Sequence, residues 1–147
     1  METPLQVLAG CWILIVEDEY FLADELGQRL SAHGATLLGP VATLEKALAL
    51  VEASERIDCA VIDLNLRGQS ASPVADALEA RNVPFVFATG YTASMMPDRY
   101  RHVLRWEKPY PFEALVQSLP ALIQQSRVAC RSAPYAKFAV PLEQIPT

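Results

Sequence analysis

Ile57-Asp58-Cys59-Ala60-Val61-Ile62-Asp63 is a short apolar run that ends on a lone carboxylate. Its length, its β-branched residues and its polar borders read as a buried strand over residues 57–62. Three other stretches have the same form. Trp12-Ile13-Leu14-Ile15-Val16 runs into Glu17-Asp18-Glu19, Phe85-Val86-Phe87-Ala88 ends at Thr89, and Val103-Leu104-Arg105-Trp106 leads to Lys108-Pro109. Carboxylates, a hydroxyl and an amine therefore stand at the ends of strand-like runs. In a parallel sheet those ends share one edge, so the groups should converge there. Such a cluster suits holding a divalent cation and accepting a phosphoryl group.

Helical patterns separate the strands. Leu22, Leu26 and Leu30 recur at four-residue spacing and predict an amphipathic helix from about Glu19 to Ala32. His33-Gly34 closes it, with Gly34 suited to a left-handed cap. Ala35 to Leu38 form a short strand that Gly39-Pro40 ends. Leu44, Leu48 and Val51 mark a second helix with Thr43 or a neighbour as its cap. Ser72-Pro73 reads as an N-cap followed by proline in the first helical position, opening a helix that stops near Asn82. Tyr91 to Tyr100 lack helical periodicity and contain Pro97, which predicts a short, irregular fourth helix. Pro111 opens a last helix with Phe112, Leu115, Val116 and Leu119 on one face. Pro120 should kink or end it, because proline removes a donor and crowds the preceding turn. Strands alternating with helices give right-handed crossovers and a mostly parallel sheet covered on both faces. Ligands of such doubly wound sheets bind beyond the carboxyl ends of the strands.

The chain has 147 residues, about one domain, and 52% hydrophobic residues are enough to fill a core. A net charge of −5 argues against direct binding of nucleic acid, which needs a basic face. No apolar run approaches the roughly 20 residues that cross a bilayer, so no membrane insertion is expected. Leu8-Ala9-Gly10-Cys11 imitates a lipoprotein processing site, but the residues before it carry Glu2 and no Lys or Arg. Cys11, Cys59 and Cys130 form no close pair and read as reduced thiols of a cytoplasmic protein. Residues 1–10 are expected to be an N-terminal extension, 11–125 the domain, and 126–147 a tail that is extended or disordered. Tyr135, Phe138, Val140, Leu142 and Ile145 are spaced as if to dock that tail.

Each polar residue has a definite task in this reading. Crowded carboxylates repel, and a hard cation such as Mg²⁺ relieves them through oxygen ligands. Asp18 and Asp63 are direct ligands, Glu17 binds directly or through water, and the backbone carbonyl of Asn65 completes the set. Asp63 is the nucleophile, because carboxylates form acyl phosphates. Lys108 neutralises a phosphoryl oxygen and Thr89 donates a hydrogen bond to it. Phosphoryl transfer asks mainly for positioning and charge neutralisation, which this set offers.

Taken together, Glu17-Asp18, Asp63, Thr89 and Lys108-Pro109 resemble the receiver domain of bacterial two-component response regulators, over about residues 11–125. The resemblance implies an α/β, doubly wound (βα)5 flavodoxin-like sandwich with a five-stranded parallel sheet. It also implies Mg²⁺-dependent phosphorylation of Asp63 by a histidine kinase or a phosphotransfer protein, and a cis bond before Pro109. Receivers usually carry an aromatic switch residue three positions before the lysine; here Arg105 stands there, beside Trp106. They usually place a small residue after the switch hydroxyl, and here it is Gly90. Phe85-Val86-Phe87-Ala88-Thr89-Gly90-Tyr91 is similar to the motif of the FAT GUY single-domain group, in which Tyr91 would join Thr89 in the switch and the fourth helix is often poorly formed.

Two other functions compete. Asp63-Leu64-Asn65 superficially resembles the nucleophile motif of aspartyl-phosphate phosphatases, but those need a second carboxylate where Asn65 stands, and a substrate-binding cap. A binding module that has abandoned phosphate would not need the intact acceptor set. The expected protein is therefore a stand-alone phosphoacceptor and not an enzyme. It would act on an unknown protein target or drain phosphate from a pathway, since the residues after 125 are too few for an output domain. A phosphodonor should dock near the first helix and the loop after Lys108. Tyr91, Tyr100, Trp106 and Tyr110 are candidate anchors for the target, but each could equally be core, and at least half are expected to be.

Overall fold

The computed structural model describes residues 6–90 and 97–137, with side chains through Arg127. Five parallel strands form one sheet: β1 (Trp12–Val16), β2 (Thr36–Val41), β3 (Cys59–Ile62), β6 (Phe85–Thr89) and β7 (Arg105–Glu107), while β4 (Asn65–Leu66) and β5 (Gln69–Ser70) form a separate hairpin. Their order, β2-β1-β3-β6-β7, is that of a doubly wound fold, with the switch of direction beside β1 and β3. Between them lie α1 (Tyr20–Ala32), α2 (Leu44–Ala53) and α3 (Ser72–Ala80), and α4 (Phe112–Lys137) follows the last strand. Residues 91–96, where the irregular fourth helix was expected, are outside the described residues. Asp98–Tyr100 form a single 3₁₀ turn.

Alternation along the strands sorts side chains into two cores. Leu14, Val16, Ala60, Ile62, Phe85 and Phe87 face α2 and α3. Ile13, Ile15, Cys59, Val61, Val86 and Ala88 face α1 and α4. On α1, Ala23, Leu26, Gly27 and Leu30 point inward, while Leu22 is half-buried. A Cβ added at Gly27 would sit 3.2 Å from the end of the Leu37 side chain, a tight contact. Thr43 caps α2 as expected, its hydroxyl accepting from the Lys46 N–H at 3.1 Å.

Several expectations need correction. β2 does not end at Gly39-Pro40 but runs to Val41, its register against β1 shifting between Leu14 and Val16. Gly39 permits this with φ of +90°, and a Cβ there would lie 2.8 Å from the Ile15 carbonyl oxygen. The bond before Pro40 is cis, as is the expected one before Pro109. Ser72 is the first residue of α3, not its cap; Ala71 holds that place and the Ser70 hydroxyl accepts from the Ser72 N–H at 3.1 Å.

Pro120 does not end α4, which runs on to Lys137, so residues 126–137 are helical and not an extended tail. Proline inside a helix costs about 3 kcal/mol. Burial of Leu115, Val116, Leu119 and Ile123 outweighs it, each large apolar side chain contributing roughly 1.5–3 kcal/mol. Residues 138–147, with Phe138, Val140, Leu142 and Ile145, are outside the described residues. At the other end, residues 6–10 of the expected N-terminal extension pack on the domain. Leu8 is fully buried with the α1 and α4 core, and its N–H donates to the His33 carbonyl at 2.9 Å.

Candidate functional site

Register brings the polar residues together. Val16 pairs with Ile62, Ile62 with Phe87, and Thr89 with Glu107. Glu17, Asp63, Thr89 and Lys108 therefore leave the sheet along one edge. The turns there are tied by backbone bonds: the Asp63 N–H donates to the Val16 carbonyl at 2.8 Å and the Lys108 N–H to the Thr89 carbonyl at 3.1 Å. A cavity of about 440 Å³ opens above this edge, lined by Asp18, Glu19, Asp63, Asn65, Thr89, Gly90 and Lys108.

Glu17 and Asp63 are each 5% exposed, and Thr89 is fully buried. The Lys108 ammonium donates to Asp63 Oδ2 at 2.9 Å, to Glu17 Oε2 at 2.9 Å and to Glu19 Oε1 at 2.8 Å. Burial pushes the Glu17 carboxyl up to about 7, against hydrogen bonds from the Glu19 N–H and Lys108. Burial also raises the Asp63 carboxyl above the ordinary aspartate range, opposed by Lys108 and the Asn65 N–H. For Lys108, burial alone would favour the neutral amine; hydrogen bonds to Glu19, Asp63 and Glu17 outweigh it and hold the ammonium charged.

A tight hairpin that the sequence reading did not foresee completes the site. β4 (Asn65–Leu66) and β5 (Gln69–Ser70) pair antiparallel around Arg67 and Gly68, whose φ values are +53° and +89°. Positive φ at both central residues suits a two-residue hairpin. The hairpin sets Asp18, whose Oδ2 accepts from the Arg67 N–H at 3.0 Å. It also sets Asp63, whose Oδ1 accepts from the Asn65 N–H at 3.0 Å. Carboxylate oxygens of Glu17, Asp18 and Asp63 lie within 4.8 Å of one another, a hard-oxygen set that fits Mg²⁺.

Of the residues read from the sequence, Glu17, Asp18, Asp63, Asn65, Thr89 and Lys108 share this edge; Tyr91 is outside the described residues. Glu19, the third acid of its run, was given no task in the sequence, yet it holds Lys108. Two of the four candidate anchors lie in the core, as expected of at least half of them. Tyr100 and Tyr110 are core residues and Trp106 is half-buried. Tyr100 packs edge-on against Phe85 and Phe87 at 5.6 and 5.9 Å, and its hydroxyl donates to Asp76. Among the described residues the most exposed aromatics are Tyr20 and Phe21, at the start of α1. His33 bonds Glu113 at 2.6 Å between α1 and α4, and His102 is exposed. Cys11 and Cys59 are buried free thiols.

The chain is similar to known proteins. SdrG from Sphingomonas melonis Fr1 is 42% identical over 77% of this chain and 96% of its own, with a TM-score of 0.67. A second SdrG structure, described as its BeF3-activated conformation, is 43% identical with a TM-score of 0.64, covering 78% of this chain and 98% of its own. The phyllosphere-induced regulator PhyR of Methylorubrum extorquens is 31% identical over 101 residues, which are 67% of this chain but only 35% of PhyR. This chain therefore matches about a third of that regulator's length. A CheY-like response regulator receiver from Methanospirillum hungatei JF-1, 21% identical over 81% of this chain and 98% of its own, shares the fold with a TM-score of 0.71. No protein-family model matches the chain. These relatives and the site place the chain among the response regulator receiver domains, and it belongs to that family.

Proposed function

We propose that the domain is a phosphoacceptor whose Asp63 takes a phosphoryl group from the phosphohistidine of a histidine kinase or phosphotransfer protein. The observation that carries this is Lys108 Nζ at 2.9 Å from a buried Asp63, with two further acids at the same cavity. As an Asp63 oxygen bonds phosphorus, the phosphorus–nitrogen bond breaks and the imidazole nitrogen leaves with its electron pair, taking a proton from water. Glu17, Asp18, Asp63 and the Asn65 carbonyl would hold Mg²⁺, which when bound neutralises charge on phosphoryl oxygens. Lys108 neutralises another oxygen, and the Thr89 hydroxyl donates to the phosphoryl group from the floor of the cavity. Phosphorylation removes the charge of the Asp63 carboxylate and places a more strongly charged group within reach of Lys108.

SdrG's description in a BeF3-activated conformation supports the same chemistry here, since beryllofluoride imitates a phosphoryl group. The protein would work in the cytoplasm, and no helix among the described residues is long and apolar enough to cross a membrane. Its only chemistry would be gaining and losing this phosphoryl group, not turnover of a separate substrate. The phosphodonor would dock by α1 and the loop after Lys108, where Tyr20 and Phe21 stand out. The phosphorylated form would engage a protein target, with Thr89 and Tyr91 as its switch, or serve as a phosphate sink. Incubation with phosphoramidate and Mg²⁺, read by intact mass, tests this. Wild type gains one phosphoryl group and Asp63→Asn gains none; equal labelling of the two refutes the proposal.

A further inference from the structure

The ammonium of Lys108 has three N–H donors, and all three are spent, on Glu17, Asp63 and Glu19. A phosphoryl oxygen reaches that lysine only if one bond breaks. Glu17 and Asp63 are poor candidates to leave, with side chains 4% and 6% exposed and a second hydrogen bond each from the backbone. Glu19 is 58% exposed and returns to water at little cost. It stands at the N-cap of α1 but makes no side-chain cap bond, its carboxylate being turned to the lysine instead. That carboxylate also lines the cavity.

Resting on the phosphoacceptor reading, we propose that Glu19 is a positioning residue that restrains Lys108 until a protein donor docks. Tyr20 and Phe21, the next two residues, are 76% and 84% exposed and contact each other edge-on at 5.7 Å. A protein pressed against this aromatic pair bears on the turn that carries Glu19. A small phosphodonor does not, and must await spontaneous release of the lysine. Glu19 thereby sets the preference of the site for docked protein donors over free small ones.

The test measures initial labelling of the full chain by phosphoramidate at saturating Mg²⁺ in wild type, Glu19→Gln, Glu19→Ala, Asp24→Asn and Asp63→Asn. Asp24→Asn removes the same charge from α1 at an exposed residue that bonds Gln28 and not Lys108. Both Glu19 variants should label about two- to fivefold faster, the factor released by one exposed ion pair. Asp24→Asn should match wild type, and Asp63→Asn should stay blank. A residue with a merely structural role would slow labelling, not speed it. Unchanged or slower Glu19 variants, or an equal gain in Asp24→Asn, overturn the restraint while leaving the acceptor intact. Labelling of Asp63→Asn overturns both readings.

Discussion

Glu17→Gln should make the domain more stable at neutral pH and flatten its stability between pH 4.5 and 7. Burial raises the Glu17 carboxyl from its ordinary 4.5 to about 7. Over that window the folded chain binds more protons than the unfolded one, so stability falls as pH rises. It is fully present below 4.5 and lost by about 7. The gap between 4.5 and 7, at ~1.36 kcal/mol per tenfold change in proton affinity, comes to about 3 kcal/mol. Little solvent screening applies, because the side chain is 4% exposed. Glutamine keeps the oxygen that accepts from Lys108 and the Glu19 N–H without the buried charge. Urea denaturation at half-unit pH intervals, without divalent metal, reads the effect. The wild-type curve should decline more steeply toward neutrality than the variant's, which keeps only the contribution of Asp63, the two separating by up to about 3 kcal/mol at pH 7.5. Parallel curves would refute the desolvated-carboxylate account of this site.

Mg²⁺ should stabilise wild type by about 2.7 kcal/mol at 100 times its dissociation constant, and Asp18→Asn should lose most of that gain; thermal melts with and without the ion check it. Leu8→Ala should cost about 2–5 kcal/mol, because its side chain is fully buried, and a loss under about 0.5 kcal/mol in urea would show that residues 6–10 do not help to hold the domain. Tyr100→Phe keeps the ring against Phe85 and Phe87 and should cost about 1–2 kcal/mol, for the lost bond to the half-exposed Asp76. Tyr100→Ala should cost about 3–5 kcal/mol, and equal losses for the two would show that the hydroxyl, not the ring, anchors the 3₁₀ turn.

Strand ends were legible in the sequence because each buried run stops where a polar side chain meets solvent. Parallel pairing then forces those ends onto one edge, which is why Glu17, Asp63, Thr89 and Lys108 could be grouped without coordinates. Features governed by packing between distant segments were not legible. Pro120 breaks a local rule, and only the burial of Leu119 and Ile123 against the sheet explains the continuous α4. Leu8 gave no periodic signal, being one residue filling a hole beneath α1. The hairpin at Arg67-Gly68 carried a single cue, Gly68, since arginine seldom adopts positive φ. Glu19 looked like a solvated helix start, and its attachment to Lys108 depends on a contact 89 positions away.

The most direct measurement is the position of the phosphoryl group itself. The phosphoramidate-labelled protein would be reduced with borohydride, which converts an aspartyl phosphate to homoserine, then digested and sequenced by tandem mass spectrometry. The account predicts homoserine at position 63 and nowhere else, in an amount that depends on Mg²⁺. Modification at Glu17 or Asp18 in place of Asp63, or none at any carboxylate, would contradict it.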